Sequence, residues 1–376
     1  MRDLSEIRRE LDVLDRQMTE LFQDRLKLVA EVAEYKIATG KPVLDVKREA
    51  QKLDILSALA ADEFSKEGIR ELFAQIMAIS RKKQYQLLTD SGKCEETGFT
   101  MVDDIDRSGA RVVYQGVAGA YSQVAMKQYF GQSQEGIAVD TWRDAMEALK
   151  NHSADYAVLP IENSSSGVIS EVYDLLMAYE HTIVDEVTLP VNHALLGLPG
   201  ATLADIDCVY SHPQALMQCV DFLDAHREWK RISLKNTALS AKKVVEDQKK
   251  NQAAIANPLT AQLYGLTILK EQINYSRENS TRFIIVSSKK ICRRNANKVS
   301  ICFEVRHESG SLYRMLSHII YNNRNMNKIE SRPIKDKSFE YRFFVDFDGN
   351  LSDSAVQNAL RGIREEANML RILGNY

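Results

Sequence analysis

The chain has 376 residues, enough for two or three domains, and its 44% hydrophobic and 27% charged residues are the balance of an ordinary globular protein. A formal net charge of -3 excludes global attraction to nucleic acid or to an anionic membrane, so any anionic ligand has to be met by locally placed cations. Five scattered cysteines, Cys94, Cys208, Cys219, Cys292 and Cys302, read as reduced thiols, and neither a signal peptide nor a membrane span is evident, so the expected location is cytoplasmic.

The first long helix is predicted from Asp3 to about Lys36. Leu4, Ile7, Leu11, Leu14, Met18, Leu21, Leu28, Val32 and Tyr35 alternate at spacings of three and four, a heptad seam. Arg25 breaks it, and Arg8 and Lys36 sit beside it. Gly40 and Pro42 stop the helix. Asp45 is placed to cap a second helix carrying Leu53, Leu56 and Leu59, and a third carries Ile69, Leu72, Phe73, Ile76 and Ile79. Three helices, the first far longer than the others, cannot bury such a seam alone, which points to a second subunit. A polar linker follows, from about Leu87 to Ala110.

Beyond it, short apolar runs such as Val112-Val113-Tyr114, Ala157-Val158-Leu159 and Val209-Tyr210 alternate with helical stretches, the pattern of an α/β domain. Several runs end in small polar residues that open helices, where anions and ligands bind in such sheets. The domain closes with a strand from Thr281 to Ser287. From Val299 the expected order is strand, helix Ser311 to Asn322, strand Met326 to Pro333, strand Tyr341 to Phe347, helix Ser352 to Leu370 and a last strand, the βαββαβ order of a ferredoxin-like domain.

In the helical block, Arg8, Arg25 and Lys36 lie along one side of the first helix. Asp45, Arg48 and Glu49 share the start of the second, and Ser80 and Gln84 lie one turn apart on the third. One polar residue suffices to set the register of a seam; this block has polar residues on the facing surfaces of all its helices. They are cations, donors and carboxylates without a nucleophile or a metal-ligand cluster, so neither metal nor cofactor is expected. The pattern R-x6-D in RRELDVLD, with Arg25, Lys36, D-x2-R-E at Asp45 and S-x3-Q at Ser80, resembles the all-helical chorismate mutase domain. The resemblance implies that Arg8 (from the other subunit), Arg25 and Arg48 hold the substrate carboxylates. Lys36 and Gln84 would meet the ether oxygen and Glu49 the ring hydroxyl, with Asp45 and Ser80 in support. Rearranging chorismate to prephenate is intramolecular and needs positioning and charge stabilisation only.

The α/β block carries GVAGAYS (Gly116 to Ser122), DYAVLPIENSSSG (Asp155 to Gly167), SHPQALMQC (Ser211 to Cys219) and NSTRF (Asn279 to Phe283). Together these resemble prephenate dehydratase, and the resemblance implies a two-lobed fold like that of periplasmic binding proteins. It makes Thr281 the leading catalytic residue, with Glu162, Asn163, Ser211 and Gln218 lining the site. The departing hydroxyl needs a proton, which either Thr281 or Glu162 supplies. Arg282 either binds a carboxylate or makes a structural ion pair. His193 and His212 read as core and orienting residues.

The last block resembles the ACT domain, a small amino-acid-binding module. Gly310, Ser311 and Leu312 match the motif of the phenylalanine-regulated type with one small-residue change, followed by Tyr313, and Glu330-Ser331-Arg332-Pro333 matches fully. The resemblances imply a 1–88 mutase domain, an 89–109 linker, a 110–289 dehydratase domain and a 297–376 ACT domain. They imply conversion of chorismate through prephenate to phenylpyruvate, with L-phenylalanine as feedback effector and a homodimer or larger homo-oligomer as the assembly. The competing readings are a non-catalytic amino-acid-sensing regulator with a helical dimerisation arm, and a dehydratase with an impaired mutase.

Overall fold

The structure, a computed structural model, describes residues 2–92, 96–276, 278–335 and 337–376. Cys94 lies outside the described residues; Cys208, Cys219, Cys292 and Cys302 are buried free thiols. The chain divides into two compact units, Met1–Thr97 with Asn297–Ile372, and Gly98–Ala296 with Leu373–Tyr376. Among the described residues no helix is long and apolar enough to cross a membrane.

The first unit begins with three helices, α1 (Leu4–Thr39), α2 (Val46–Ser57) and α3 (Glu63–Asp90). Gly40 ends α1 in the left-handed conformation at φ 71°, where a side chain would be strained, and returns its N–H to the Lys36 carbonyl. The Asp45 carboxylate caps α2 by accepting from the Arg48 N–H at 3.0 Å. Asp62 caps α3 in the same way through Ser65, so α3 starts before its apolar stripe and runs past Gln86.

The heptad seam of α1 is not the face it packs within the chain. Val29 and Ala33 are buried, and Phe22, Arg25, Leu26 and Lys36 are half-buried beside them, whereas Leu11, Leu14, Met18, Leu21, Leu28, Val32 and Tyr35 are exposed. The first half of α1 leaves its seam exposed apart from a half-buried Ile7, and in the second half the side turned to α3 is a neighbouring stripe that includes Arg25, Val29, Ala33 and Lys36.

The remainder of this unit is Lys298–Glu304, helix Ser311–Ile320, Met326–Pro333, Tyr341–Asp348, helix Ser354–Glu366 and the first four residues of the strand Met369–Asn375. That is the expected βαββαβ order, with the last helix ending four residues earlier than expected because Ala367 is already extended. In its sheet Met326–Pro333 is the edge, followed by Tyr341–Asp348, Lys298–Glu304 and Met369–Asn375. The two helices pack against α3: Tyr85 donates to the Glu365 carboxylate at 2.8 Å, Arg81 pairs with Glu366 at 3.0 Å, and the Lys82 ammonium sits 3.3 Å from the centre of the Tyr321 ring.

The second unit has two lobes. The first is a mixed sheet in the order Thr182–Pro190, Ser280–Ser287, Tyr156–Asn163, Val112–Gln115, Gly136–Val139. The second is ordered Thr267–Lys270, Ala194–Gly197, Gln252–Ala256, Cys208–Ser211, Lys230–Ser233. Each lobe has its own apolar core, around Val112, Val158, Phe283 and Ile285 in one and Leu196, Val209, Ala254 and Ile255 in the other. The chain passes between lobes after Pro190 and returns before Ser280. Within the expected linker, Thr100–Val102 forms a separate two-stranded parallel sheet with Ile291–Arg293.

Burial pushes the Lys82 ammonium down to about 8 from its ordinary 10.5, helped by the charge of adjacent Arg81 and opposed by Glu366. Below about 8 the amine is charged in both folded and unfolded chains and the fold carries the whole desolvation cost; between 8 and 10.5 the folded chain sheds its proton first and the cost fades. Lys82→Met is therefore expected to be most favourable relative to the parent near pH 7. Urea denaturation at both ends of that window measures it: the stability difference between variant and parent shifts toward the parent as pH rises to 10.5.

Candidate functional site

Two clusters of polar residues stand where helix and strand periodicity would place apolar ones. In the first, α3 turns a buried polar row inward, with Ser80 4%, Arg81 6% and Gln84 7% exposed, values otherwise typical of core residues. Opposite them α1 supplies Arg25 and Lys36. The Arg25 guanidinium donates to the Ser80 hydroxyl, which itself donates to the Ile76 carbonyl at 2.6 Å. Lys36 donates to the Val43 carbonyl at 2.6 Å, and an ammonium has two further N–H donors to offer. Gln84 donates to the Ser80 carbonyl at 3.4 Å while its own buried carbonyl oxygen has no hydrogen-bond partner among the described residues. From α2, Glu49 turns inward and Arg48 is exposed.

Burial lowers the pKa of Arg25, with Glu49 opposing, and lowers that of Lys36, with Glu365, Asp45 and Glu49 opposing. Both cations thus lean on a few carboxylates and would gain from an anionic ligand. Arg8 is not brought to this cluster. It is exposed on the same straight helix 17 residues before Arg25, which at 1.5 Å per residue is roughly 25 Å away. A residue that the sequence patterns did not single out stands in the cluster: Arg81, whose guanidinium reaches Glu49 at 2.5 Å. Its signal was a charged side chain next to Ser80 on the inward face.

The second cluster forms where the lobes of the second unit meet. Asn163 and Thr281 are cross-strand partners, and the Asn163 amide donates to the Thr281 hydroxyl oxygen at 2.9 Å and to Asn279 Oδ1 at 2.8 Å. The Asn163 carbonyl oxygen accepts from the backbone N–H groups of Ser165 and Ser166, both at 3.0 Å, which fixes the turn of the NSSSG run. From the other lobe Gln218 donates to the Ser165 hydroxyl at 2.6 Å and accepts from His193 Nε2 at 2.9 Å. A carboxamide oxygen only accepts, so His193 carries its proton on Nε2. Burial lowers the pKa of His193, leaving it a neutral orienting group, as its position in the core anticipates. His212 caps a short helix by accepting from the Gln214 N–H.

Glu162 and Arg282 do not join this cluster. Neighbouring residues of a strand face opposite sides, so the pair Glu162 and Arg282 is turned away from the pair Asn163 and Thr281. Arg282 instead bridges Glu162 and Glu186, each at 3.1 Å. Ser211 is also apart: its hydroxyl, fully buried, donates to the Ile255 carbonyl at 2.7 Å within the second lobe's sheet. The lobes are tied by the Gly119 carbonyl, which accepts from Asn257 at 2.6 Å and Thr260 at 3.1 Å. A Cβ at Gly119, where φ is +87°, would stand 3.2 Å from the Thr260 hydroxyl, so the close approach requires glycine.

In the βαββαβ part, Ser311 is buried and accepts from Arg314 at 3.1 Å. A cavity of about 140 Å³ opens there, lined by Arg306, Ser311, Leu312, Tyr341 and Phe343 among others. Glu330, Ser331 and Arg332 lie on the edge strand, which Tyr341–Asp348 separates from the strand leading to Gly310.

Comparison with known proteins bears on both clusters. A family model described as prephenate dehydratase matches residues 112–291, and one described as chorismate mutase type II matches residues 7–85. A bifunctional chorismate mutase/prephenate dehydratase of Buchnera aphidicola subsp. Schizaphis graminum is 32% identical over 380 residues, covering 100% of this chain and 96% of its own. Arogenate dehydratase/prephenate dehydratase 1, chloroplastic, of Arabidopsis thaliana is 40% identical over 289 residues, 73% of each chain. The crystal structure of a prephenate dehydratase in complex with L-Phe from Arthrobacter aurescens superposes with a TM-score of 0.66 at 30% identity, covering 71% of this chain and 89% of that one.

Proposed function

The chain belongs to the bifunctional chorismate mutase/prephenate dehydratase family, and from that membership we propose how its two polar clusters divide the work. The enzyme rearranges chorismate to prephenate and then decarboxylates and dehydrates prephenate to phenylpyruvate. The first step is assigned to the 1–88 helical domain and the second to the 110–289 two-lobed domain, with a 297–376 ACT domain as the regulatory part. The observation that carries the reading is the pair of half-buried cations Arg25 and Lys36, facing a buried Ser80 and Gln84 in a cluster that holds no nucleophile.

Chorismate rearrangement makes one C–C bond and breaks one C–O bond within a single dianion, so the site has to hold the compact conformer and stabilise charge on the ether oxygen. Arg25 and Arg48 take the carboxylates. The unused Lys36 donors and the Gln84 amide face the ether oxygen, Glu49 accepts from the ring hydroxyl, and Asp45 and Ser80 hold Arg48 and Arg25 in place. Arg8 is supplied by a second copy. This is supported by the exposure of Leu11 52%, Leu14 54%, Met18 54% and Leu21 70%, an apolar stripe that a matching α1 would cover.

In the second step the carboxylate leaves as carbon dioxide, its bonding electrons aromatise the ring, and the hydroxyl departs as water on receiving a proton. We assign that proton to Thr281, because Glu162 faces the other way. The Asn163 amide donated to Thr281 Oγ1 stabilises the negative charge that grows there as the proton leaves. Gln218 and Asn163 line the site; Ser211 supports it from within the second lobe, and Arg282 braces the strand pair from behind. L-phenylalanine is assigned to a site formed by Gly310, Ser311 and Leu312 with Glu330, Ser331 and Arg332 of a second copy's edge strand, in a cytoplasmic homodimer or larger assembly. Bound there it lowers dehydratase activity by favouring one of two states.

Arg25→Ala is expected to abolish prephenate formation and leave dehydration of supplied prephenate intact, and Thr281→Ala to do the reverse. Spectrophotometric assays of each step check this, and mutase turnover surviving Arg25→Ala would refute the first assignment. Titrating phenylalanine against phenylpyruvate formation should give saturable inhibition that weakens at least ten-fold in Glu330→Ala. A response unaltered by that substitution would remove Glu330 from the effector site.

A further inference from the structure

Arg81 is a buried guanidinium that no part of the chemistry above uses. Its two terminal nitrogens are each committed to a carboxylate: Nη1 to Glu49 Oε2 at 2.5 Å and Nη2 to Glu366 Oε1 at 3.0 Å. The first carboxylate belongs to the helical cluster and the second to the last helix of the βαββαβ part. Glu366 is itself held, since His318 Nε2 donates to the same oxygen at 3.0 Å and Arg314 Nε stands 3.9 Å from the other. Arg81, Glu366 and His318 are all nine-tenths or more buried as side chains. Burial alone would push the Glu366 carboxyl up, but the His318 hydrogen bond and the Arg81 charge outweigh it and hold the group below its ordinary value. The carboxylate is therefore ionised, and the fork of Arg81 is anchored at one end before it meets Glu49.

The position of Glu49 matters because its charge is felt by both cations of the cluster, Arg25 and Lys36. A carboxylate free to swing would fold onto them and occupy the positive charge that a dianionic substrate needs. A planar guanidinium, locked by a second carboxylate, is suited to hold it off, since it presents two N–H edges in a fixed geometry that a lysine cannot reproduce. We propose that Arg81, anchored by Glu366 of the C-terminal domain, is a positioning residue for the mutase step: it tethers Glu49 away from Arg25 and Lys36, so that these cations stay available to the substrate carboxylates and ether oxygen. The proposal rests on the mutase reading of the helical cluster. It makes the C-terminal domain a structural part of the mutase site and gives the Glu49 carboxylate Arg81 as a constant partner on one oxygen, leaving the other for the ring hydroxyl when substrate is bound.

The test uses the full-length protein with steady-state mutase kinetics, and far-ultraviolet circular dichroism and urea denaturation of the same samples report intact folding of the helical unit that carries Arg81. Arg81→Met is expected to raise KM for chorismate at least ten-fold while lowering kcat less, because the released Glu49 competes with substrate for the cations. Adding Glu49→Gln to Arg81→Met removes the competing charge while leaving an amide oxygen that still accepts from the ring hydroxyl, and is expected to bring KM back by several-fold, a rescue that a merely structural role for Arg81 does not predict. Glu366→Ala should raise KM in the same direction by a smaller factor. Should Arg81→Met fail to fold, Arg81→Lys, which keeps one charge but not the fork, is expected to give an intermediate KM. A KM within two-fold of the parent in Arg81→Met or Arg81→Lys, or a double variant no better than the single one, overturns the inference. Arg25→Ala measured alongside separates the two failures: if it abolishes turnover while Arg81 variants behave like the parent, only the inference falls, and if turnover survives it, the site itself is misassigned and the inference falls with it.

Discussion

A guanidinium inside a helical domain has to be met by anions or the fold does not hold. Arg81, with 6% of its surface exposed, is met by two, one on α2 and one on the last helix of the chain. That constraint organises the first unit. It sets the inward face of α3, so that Ser80 and Gln84, placed one and three residues from Arg81, are buried with it. It also makes one helix the shared wall of two structures, the cluster facing α1 and the packing against the two helices of the βαββαβ part, where Tyr85 reaches Glu365 and Lys82 reaches Ser317.

The second unit depends on a different constraint, the strict alternation of side chains along paired strands. The registry of Ser280–Ser287 against Tyr156–Asn163 puts Thr281 beside Asn163 and Arg282 beside Glu162. One pair faces the junction of the lobes, where Gln218 and His193 complete a chain of neutral hydrogen bonds. The other forms a closed charge cluster with Glu186. A one-residue slip would exchange them, exposing the charges to the junction and burying the hydroxyl behind the sheet. Function in this half is therefore a matter of registry as much as of residue type.

Much of this architecture is legible in the sequence. The caps at Asp45 and Gly40, the change of period after the linker and the βαββαβ order all come from local chemistry, and the strands of the last part lie within two residues of their expected ends. What could not be read is what depends on partners distant in the chain. Which face of α1 packs within the chain is set by α3, so the seam, expected to need a second subunit, could not be told from the neighbouring stripe of Arg25, Val29, Ala33 and Lys36 that α3 covers. Glu162 and Thr281 share motifs of one family, and only the strand pairing separates their faces. Arg81 sits in a run of five polar residues, Ser80 to Gln84, that reads as a solvated surface until Glu366 is placed beside it. The strand at Thr100–Val102 is too short to declare itself without its partner at Ile291–Arg293.

The central claim is that α1, α2 and α3, together with a second copy of α1, form a cage for a compact dianion. A crystal structure of the chain with a stable bicyclic dicarboxylate ether, shaped like the rearranging substrate, addresses it most directly. The account predicts the ligand between α1 and α3, with its carboxylates on Arg25, Arg48 and the Arg8 of a second copy, and its ether oxygen within hydrogen-bond distance of Lys36 Nζ and the Gln84 amide. A ligand bound elsewhere, or held by one copy alone with Arg8 remote, would contradict it.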